Sequence, residues 1–437
     1  MTPKKLCVND SITLSTIHTN KFKASTVTFS LYQPLTRQGY LYNLLLAGVM
    51  RRGCEGLPSM ALINKRLDEL YASTVDVQST VSGSVLSLSV SADMLEGRYT
   101  PDKADVSGGV IGVIADILLR PIMENGLFPR KVVESEKVFL KDCLAAEKNN
   151  TRVYAATRLK ELMCRDNSPE FPTMDFLLSG IDKITSEELT AHYLSLLSSS
   201  MLHVFYVGGE TAEEIGEKIS RAFRGFCQLS GSRSSELITT KPHKVCPMLE
   251  VTEDMPVSQG KLTLGMRTGT SLVESTHPTA IVLNELYGAS PVSKLFLNVR
   301  EKLGLCYYCS CSYSFFSGNL CVASGIDSKN RSRATEEILT QLDEIRRGNV
   351  SAAELSAAKR SLEYSYVQIY DSPFSLQAFY ASRELSGVNE TVEECKQRIL
   401  DVTAEQVCEL ARSTVLDTCF FINGTSKNSG EGDADEA

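Results

Sequence analysis

Hydrophobic and polar residues alternate one by one in several segments of the chain. The alternation is clearest at residues 26–31, 86–92 and 262–267, and it recurs within residues 308–323. Side chains of a β-strand point to opposite faces in turn, so a period of two is typical of a strand that buries one face. These segments therefore predict antiparallel sheet with one buried face and one exposed face.

Other segments repeat their apolar residues every three or four positions. Ile63, Leu67 and Leu70 follow Ser59, whereas Ile338, Leu342 and Ile345 precede Gly348. This spacing predicts amphipathic helices, the first beginning at a serine cap and the second ending at a glycine.

One pattern of helix and strand occurs twice. Thr185 is followed by Glu188, and 218 residues later Thr403 is followed by Gln406. Each pair has the spacing of a capping box, which satisfies free backbone N–H groups at a helix start. Each predicted helix leads into a β-rich segment that ends at glycine. The repeat predicts an α+β fold of two homologous halves, each a mainly antiparallel β-sheet packed with α-helices.

The length of the chain requires more than one core. At 437 residues it exceeds the size of about 100–200 residues that is usual for one domain. We expect an N-terminal domain at residues 1–227, a linker at 228–245, a C-terminal domain at 246–425 and an acidic, disordered tail at 426–437. The linker and the tail are predicted from their polar, Ser/Gly-rich or acidic composition.

Composition and charge exclude several classes of function. The chain has 53 acidic and 45 basic residues and no long basic stretch, which argues against nucleic-acid binding. No window approaches the roughly 18–20 apolar residues of a membrane span. Thirteen cysteines, an odd number, in a chain whose first residues form no apolar signal core favour reduced thiols. We therefore expect a cytoplasmic protein.

Few residues suggest hydrolytic or metal chemistry. The five histidines have no spacing that would place two on one helix face, and His203 is expected to be an ordinary histidine within a strand. Cys306, Cys309 and Cys311 resemble a metal knuckle, but on a regular strand Cys306 has the opposite parity to the other two. Small buried thiols are the favoured interpretation.

Arg300 and Tyr307 form a more promising pair. Residues 295–302 are predicted to be helical, with Gly304 ending the helix before a strand that starts near Tyr307. A guanidinium at the helix end and a phenol at the strand start could face one pocket and bind a peptide carbonyl. The alternative, an ordinary surface arginine and a half-buried tyrosine, stays open on spacing alone.

Residues 293–307 closely resemble a family signature. They match S-R-L-F-x-x-L-R-E-K-x-G-L-x-Y of the pitrilysin/insulinase-type metallopeptidases, the inverzincins, which include mitochondrial processing peptidases. Residues 49–54 and 67–72 resemble the M-L-F-K-G-T segment of the family and its following helix. The resemblance extends to about residue 425 and implies the two-half fold of the LuxS/processing-peptidase type.

The zinc motif of the active members is missing. Those members carry H-x-x-E-H immediately before M-L-F-K-G-T, where two histidines bind zinc and the glutamate activates water. Leu44, Ala47 and Gly48 stand at the corresponding positions. The resemblance thus implies that this chain holds no cofactor and is not an enzyme on its own.

The third zinc ligand of the family is a glutamate on a later helix. The alignment places Cys143 there and keeps the upstream acid of that helix as Glu136, whereas a slip of one residue would place Asp142 at the ligand position. A single carboxylate without both histidines cannot hold a catalytic zinc ion.

The resemblance implies that Arg300 and Tyr307 bind the substrate backbone. The leading hypothesis is a zinc-free subunit of a peptidase heterodimer, which binds peptide or unfolded protein and completes the chamber of an H-x-x-E-H partner that carries the zinc. The alternatives are a structural or assembly protein, a homodimeric peptide-binding protein, and a self-sufficient enzyme with a relocated site. No nucleic-acid or membrane partner is expected.

Overall fold

The computed structural model describes residues 1–165, 172–226 and 247–425. The linker predicted at 228–245 and the tail predicted at 426–437 lie outside the described residues. The rest forms two compact units. The first comprises the described residues within Met1–Ala145, Glu170–Thr240 and Tyr366–Glu393, and the second those within Ala146–Pro169, Lys241–Ser365 and Glu394–Ala437.

The described residues contain eleven strands. They are Lys4–Asn9 (β1), Ile12–His18 (β2), Ala24–Pro34 (β3), Thr74–Ser82 (β4), Val85–Leu95 (β5), Leu202–Gly208 (β6), Leu249–Met255 (β7), Gly260–Arg267 (β8), Cys306–Ser314 (β9), Asn319–Ile326 (β10) and Val415–Gly424 (β11).

The α-helices outnumber the strands. They are Arg37–Arg51 (α1), Met60–Glu69 (α2), Val106–Leu119 (α3), Arg130–Ala146 (α4), Thr151–Met163 (α5), Met174–Ile181 (α6), Ser186–Ser199 (α7), Ala212–Ala222 (α8), His277–Asn284 (α9), Arg331–Arg346 (α10), Ala352–Gln368 (α11), Pro373–Leu385 (α12), Val392–Leu400 (α13) and Ala404–Ser413 (α14). Glu285–Ala289 and Leu295–Lys302 form π-helical segments. No helix in the described ranges is both long and apolar enough to cross a membrane.

The two sheets share one topology. The first has the strand order β1-β2-β6-β3-β5-β4, and the second has the order β7-β11-β8-β10-β9. Without β1, the orders correspond strand for strand, and each sheet contains one parallel pair, β2 with β6 and β7 with β11. The other pairs are antiparallel. The predicted α+β fold of two similar halves is confirmed.

The predicted helix caps also form. Thr185 and Thr403 each accept a hydrogen bond in a complete capping box at the start of α7 and α14. Ser59 caps α2, and Gly348 adopts a φ of +89° just after α10. These local signals are short-range, so they define helix ends without knowledge of the tertiary fold.

The expectation of one exposed face is wrong for the central strands β3 and β8, although β9 keeps exposed residues between buried ones. In the first sheet, Val27, Phe29 and Leu31 belong to the main hydrophobic core, as predicted, but Ser30 on the opposite face is also buried. Helix α12 packs on β3 and β6 at that face. A helix contributed by a distant segment of the chain therefore covers the polar face.

Strand β8 of the second sheet is buried at all eight positions. Helix α5 contacts β8 and β11, so the strand has a helix on a face that alternation alone would leave in solvent. Gly265 faces the Met163 side chain so closely that a Cβ atom at this position would overlap the sulfur. The absence of a side chain at Gly265 thus lets α5 approach the sheet.

A buried ion pair joins β8, β11 and the end of α5. Arg267 is 2% exposed, and its Nε lies 2.9 Å from Oδ2 of Asp417, which is fully buried. The Arg267 guanidinium also donates to the carbonyl of Met163 at the end of α5. Arg165 and Thr418 bond the second oxygen of Asp417, at 3.1 Å and 2.6 Å. Both carboxylate oxygens of Asp417 thus have hydrogen-bonding partners, as burial of a charge requires.

We predict that Asp417→Ala lowers the free energy of unfolding by about 3–5 kcal/mol, because it leaves the buried Arg267 guanidinium without its counter-ion. Urea unfolding monitored by circular dichroism measures the change. Asp371→Ala is the matched control, since Asp371 pairs with Lys21 at the surface and its side chain is 66% exposed. Equal stability of the Asp417 variant and the control would contradict this account.

Candidate functional site

Helix α1 carries Leu44, Ala47 and Gly48, the positions predicted to correspond to the zinc motif. It begins at Thr36, whose side chain accepts a hydrogen bond from the backbone N–H of Gly39. Ala47 is buried, whereas Leu44 and Gly48 are half-buried. Residues four apart lie on one helix face, so Leu44 and Gly48 share a side of α1. Neither can ligate a metal through a side chain.

A carboxylate from α4 occupies the space beside Gly48. A Cβ atom at Gly48 would lie 2.5 Å from Oε2 of Glu136. Glu136 is only 4% exposed, and Arg52, just after α1, forms an ion pair with it. The acid that survives on the later helix is therefore neutralised by an arginine, and the position next to it has no side chain.

Cys143 and Asp142 lie two turns farther along α4, and both are exposed. These two residues were the candidates for the third ligand position, but the structure brings the upstream acid, Glu136, next to Gly48 instead. Among the described residues, no group of three or more His, Cys, Asp and Glu side chains is placed to hold a metal ion. The residues present at this site do not fit a zinc ion.

The histidines have other partners. His203 on β6 has its Nδ1 atom 3.0 Å from Oγ1 of Thr13, and His192 on α7 has its Nε2 atom 2.7 Å from Oδ1 of Asn43. Burial lowers the pKa of both imidazoles to about 4, so they are neutral near pH 7. His243 lies outside the described residues. The interpretation of His203 as a hydrogen-bonded strand histidine agrees with these contacts.

Arg300 and Tyr307 lie on either side of a sharp turn. The predicted helix at 295–302 is present in π-helical form, and Gly304 follows it with a φ of +57°. The Arg300 side chain is 42% exposed and stacks over the ring of Phe296, with its Cζ atom 4.9 Å from the centroid. Tyr307 is 64% exposed, near the start of β9.

A β-bulge at Tyr307 explains its exposure. Tyr308 pairs with Gly325 and Cys306 with Ile326, so Tyr307 is the extra residue between two successive pairs. The bulge also reverses the expected parity. Cys306, Cys309 and Cys311 are all buried, and the prediction that Cys306 faces away from the other two is wrong, because an inserted residue changes the face of every earlier side chain.

The charge of Arg300 affects the pKa of a thiol at the start of β9. A hydrogen bond from Cys309 lowers the pKa of the Cys306 thiol, and the positive charge of Arg300 lowers it further. The same hydrogen bond raises the pKa of Cys309. The bulge had no signal in the residue pattern, and it is the feature that sequence reasoning missed here.

This chain is similar to proteins described as inactive peptidases. The family model described as the Peptidase M16 inactive domain matches residues 183–362. A Bacillus subtilis protein named "Probable inactive metalloprotease YmfF" is 28% identical over 418 residues, which cover 95% of this chain and 96% of that protein.

A second curated protein and a solved structure are also similar to this chain. The "Uncharacterized zinc protease YmxG", also from Bacillus subtilis, is 28% identical over 166 residues, which cover 37% of this chain and 40% of that protein. The crystal structure of a conserved protein from Enterococcus faecalis superimposes with a TM-score of 0.88 at 24% identity, covering 98% of this chain and 100% of that chain. This last similarity shows the fold.

We predict that Gly304→Ala lowers the free energy of unfolding by about 1–2 kcal/mol, because alanine is strained in the left-handed conformation between Arg300 and Tyr307. No atom lies within 4 Å of a Cβ placed there, so backbone strain is the only cost. Gly112→Ala in α3 is the control. Its Cβ also meets nothing within 4 Å, but its helical backbone should make alanine stabilising. Denaturant unfolding of both variants checks the prediction, and shifts of the same sign would refute it.

Proposed function

Because the chain belongs to the M16 peptidase family but carries no H-x-x-E-H motif, we propose that it is the non-catalytic subunit of a heterodimeric zinc peptidase. The zinc ion, the attacking water and the general base belong to the partner subunit. This chain binds the peptide or unfolded protein substrate and completes the chamber. We also propose that the complex is cytoplasmic.

The observation that carries the proposal is the contrast between the two candidate sites. At Gly48 a buried carboxylate and Arg52 leave nothing that could bind zinc. At the other site, Arg300 and Tyr307 keep exposed polar ends around a turn. Gly304 and the bulge at Tyr307 leave both side chains in solvent, where a ligand can reach them.

The chemistry of Arg300 and Tyr307 suits a peptide backbone. A guanidinium offers five N–H donors and a phenol one O–H donor, whereas a peptide presents a carbonyl acceptor at each residue. The Arg300 Nε atom lies 3.5 Å from Oε1 of Glu301, a weak ion pair because both side chains are exposed. Backbone recognition of this kind is independent of substrate sequence, as binding of varied peptides requires.

The partner is proposed from the relatives. Bacillus subtilis has both a relative named as an inactive metalloprotease and a relative named as a zinc protease, and both are similar to this chain. The proposed partner is a protein of the second kind, with an intact H-x-x-E-H motif, from the same organism as this chain.

The test is reconstitution with the H-x-x-E-H relative encoded in the same genome, with cleavage of a mixed peptide library measured by mass spectrometry. The pair should cleave peptides and bind one zinc ion, whereas this chain alone should do neither. Arg300→Ala should lower kcat/KM of the pair by about 10- to 100-fold, mainly through KM, since it loses a charged hydrogen bond of roughly 1.5–3 kcal/mol. Tyr307→Phe should lower kcat/KM by about 2- to 10-fold, since its neutral hydrogen bond contributes roughly 0.5–1.5 kcal/mol.

Arg347→Ala is the matched control, because Arg347 is a surface arginine whose side chain is 67% exposed. Size-exclusion chromatography of each variant with the partner separates loss of substrate binding from loss of the complex. Full activity of the Arg300 variant would contradict the proposed role of Arg300 in substrate binding. A stable complex without peptidase activity would favour an assembly function. A homodimer that does not bind the zinc protein would contradict the proposal of a heterodimer.

A further inference from the structure

A pair of buried thiols flanks Tyr307 at the start of β9. Cys306 and Cys309 are both free cysteines, and they are 9% and 4% exposed. The Cys309 thiol donates a hydrogen bond to the sulfur of Cys306, and the Ser324 hydroxyl group lies within hydrogen-bonding reach of both sulfur atoms. The two thiols are therefore direct neighbours within the second unit.

The β-bulge at Tyr307 brings the two thiols together. Cys306 pairs with Ile326 and Cys309 pairs with Ser324, so the cysteines lie opposite residues that are only two apart on β10. Residues two apart on a strand share a face, and their Cα atoms are about 6.6 Å apart at a rise of roughly 3.3 Å per residue. A regular strand would instead separate the two cysteines by about 10 Å and place them on opposite faces.

This spacing is within the range of a disulfide. The Cα atoms of bonded cysteines are usually about 4.4–6.8 Å apart, and the two side chains must point toward each other. Cys306 and Cys309 meet the second condition, because their thiols already share a hydrogen bond. Cys311 has a similar spacing from Cys309 on the same buried face. The hydrogen bond between the thiols selects Cys306 as the partner of Cys309.

The surroundings of the pair make Cys306 the more reactive thiol. The hydrogen bond from Cys309 lowers the pKa of Cys306, and the positive charge of Arg300 lowers it further, although burial opposes both effects. Burial instead raises the pKa of Cys311 on the same face. Oxidants react with the thiolate rather than with the thiol. Cys306 is thus the attacking group, and Cys309 is in position to react with its oxidised product.

Access from solvent selects a small oxidant. Cys306 keeps a narrow exposed surface next to Tyr307, which is 64% exposed. Hydrogen peroxide is close to water in size and fits such an opening. A bulky disulfide would have to enter the core before it could react with either thiol.

We propose that Cys306 and Cys309 form a redox modification site, at which hydrogen peroxide converts the two thiols into a reversible disulfide. The Cys306 thiolate attacks one peroxide oxygen, the O–O bond breaks, and a sulfenic acid and a hydroxide ion form. The Cys309 sulfur then attacks the Cys306 sulfur, the S–O bond breaks, and the departing hydroxide leaves as water with the Cys309 proton. Overall, two thiols and one peroxide molecule give one disulfide and two water molecules.

The first step favours the second. The hydrogen bond to the Cys306 thiolate raises the pKa of Cys309, and burial and the negative charge of Cys306 raise it as well. A sulfenic acid is neutral, so oxidation of Cys306 removes this charge and lets Cys309 lose its proton more easily. A small thiol reductant reverses the disulfide by exchange. The disulfide would enclose Tyr307, but its formation does not depend on the proposed peptide binding.

Metal binding suits the pair less well. A structural zinc ion takes four protein ligands. Within the part of the chain that the structure describes, no group of three or more His, Cys, Asp and Glu side chains could hold a metal ion. Two adjacent thiols without further ligands are the arrangement of an oxidisable pair.

The test exposes the reduced, full-length chain to hydrogen peroxide and maps its cysteines by differential alkylation. Free thiols are blocked with N-ethylmaleimide in denaturant, oxidised thiols are then reduced and labelled with iodoacetamide, and tandem mass spectrometry identifies the label at each position. Cys306 and Cys309 should carry the second label together, at least about tenfold more often than the buried Cys408. Dithiothreitol added before the blocking step should restore both thiols.

Cys309→Ser removes the second thiol, so Cys306 should stop at the sulfenic acid and be trapped by dimedone. Cys311→Ser is the matched control, because Cys311 is also buried on β9, and it should form the disulfide like the unaltered chain. Circular dichroism confirms that each variant is folded, and the map of the unaltered chain keeps the test decisive if a variant unfolds. Absence of joint labelling at Cys306 and Cys309 would overturn the proposal. So would equal labelling of Cys408, or loss of the disulfide in a folded Cys311→Ser variant.

Discussion

The need to cover both faces of each sheet determines most of this structure. A sheet with one polar face can stand in water, but β8 is buried at every position and β3 buries residues on both sides. Helix α5 provides the cover in the second unit and α12 provides it in the first. Each of these helices comes from the half of the sequence that does not contain most of its own unit.

The covering helix packs more closely against the sheet in one unit than in the other. In the second unit, Gly265 lets α5 approach closely, and the buried pair of Arg267 and Asp417 ties the helix end to two strands. In the first unit, α12 meets a face of hydroxyl side chains and leaves a cavity of about 380 Å³. A covering helix thus gives a closely packed layer in one unit and a layer with a cavity in the other.

Local signals in the sequence predicted local structure well. The capping boxes at Thr185 and Thr403 and the alternation at Val27 to Leu31 depend on neighbouring residues, so they identified helix starts, strands and the repeat. The buried second faces could not be predicted, because they depend on helices more than a hundred residues away. The bulge at Tyr307 has no side-chain signature either. It results from the pairing register with β10.

The family resemblance supplied what periodicity could not. It singled out Leu44, Ala47, Gly48 and Cys143 as former zinc positions, which remain predictions, and the structure adds that Glu136 and Arg52 occupy the space beside Gly48. It also singled out Arg300 and Tyr307. Both side chains are exposed, which is consistent with ligand binding, but no pattern in the sequence predicted that exposure. Together with the missing H-x-x-E-H motif, the exposure of Arg300 and Tyr307 supports the proposal that this chain is one half of an enzyme.

The most direct test is affinity purification of the native protein from its own cells, followed by mass spectrometry of the proteins that co-purify at comparable stoichiometry. We predict a partner of similar size from the same family with an intact H-x-x-E-H motif. Recovery of this chain alone, or only with proteins that lack such a motif, would contradict it.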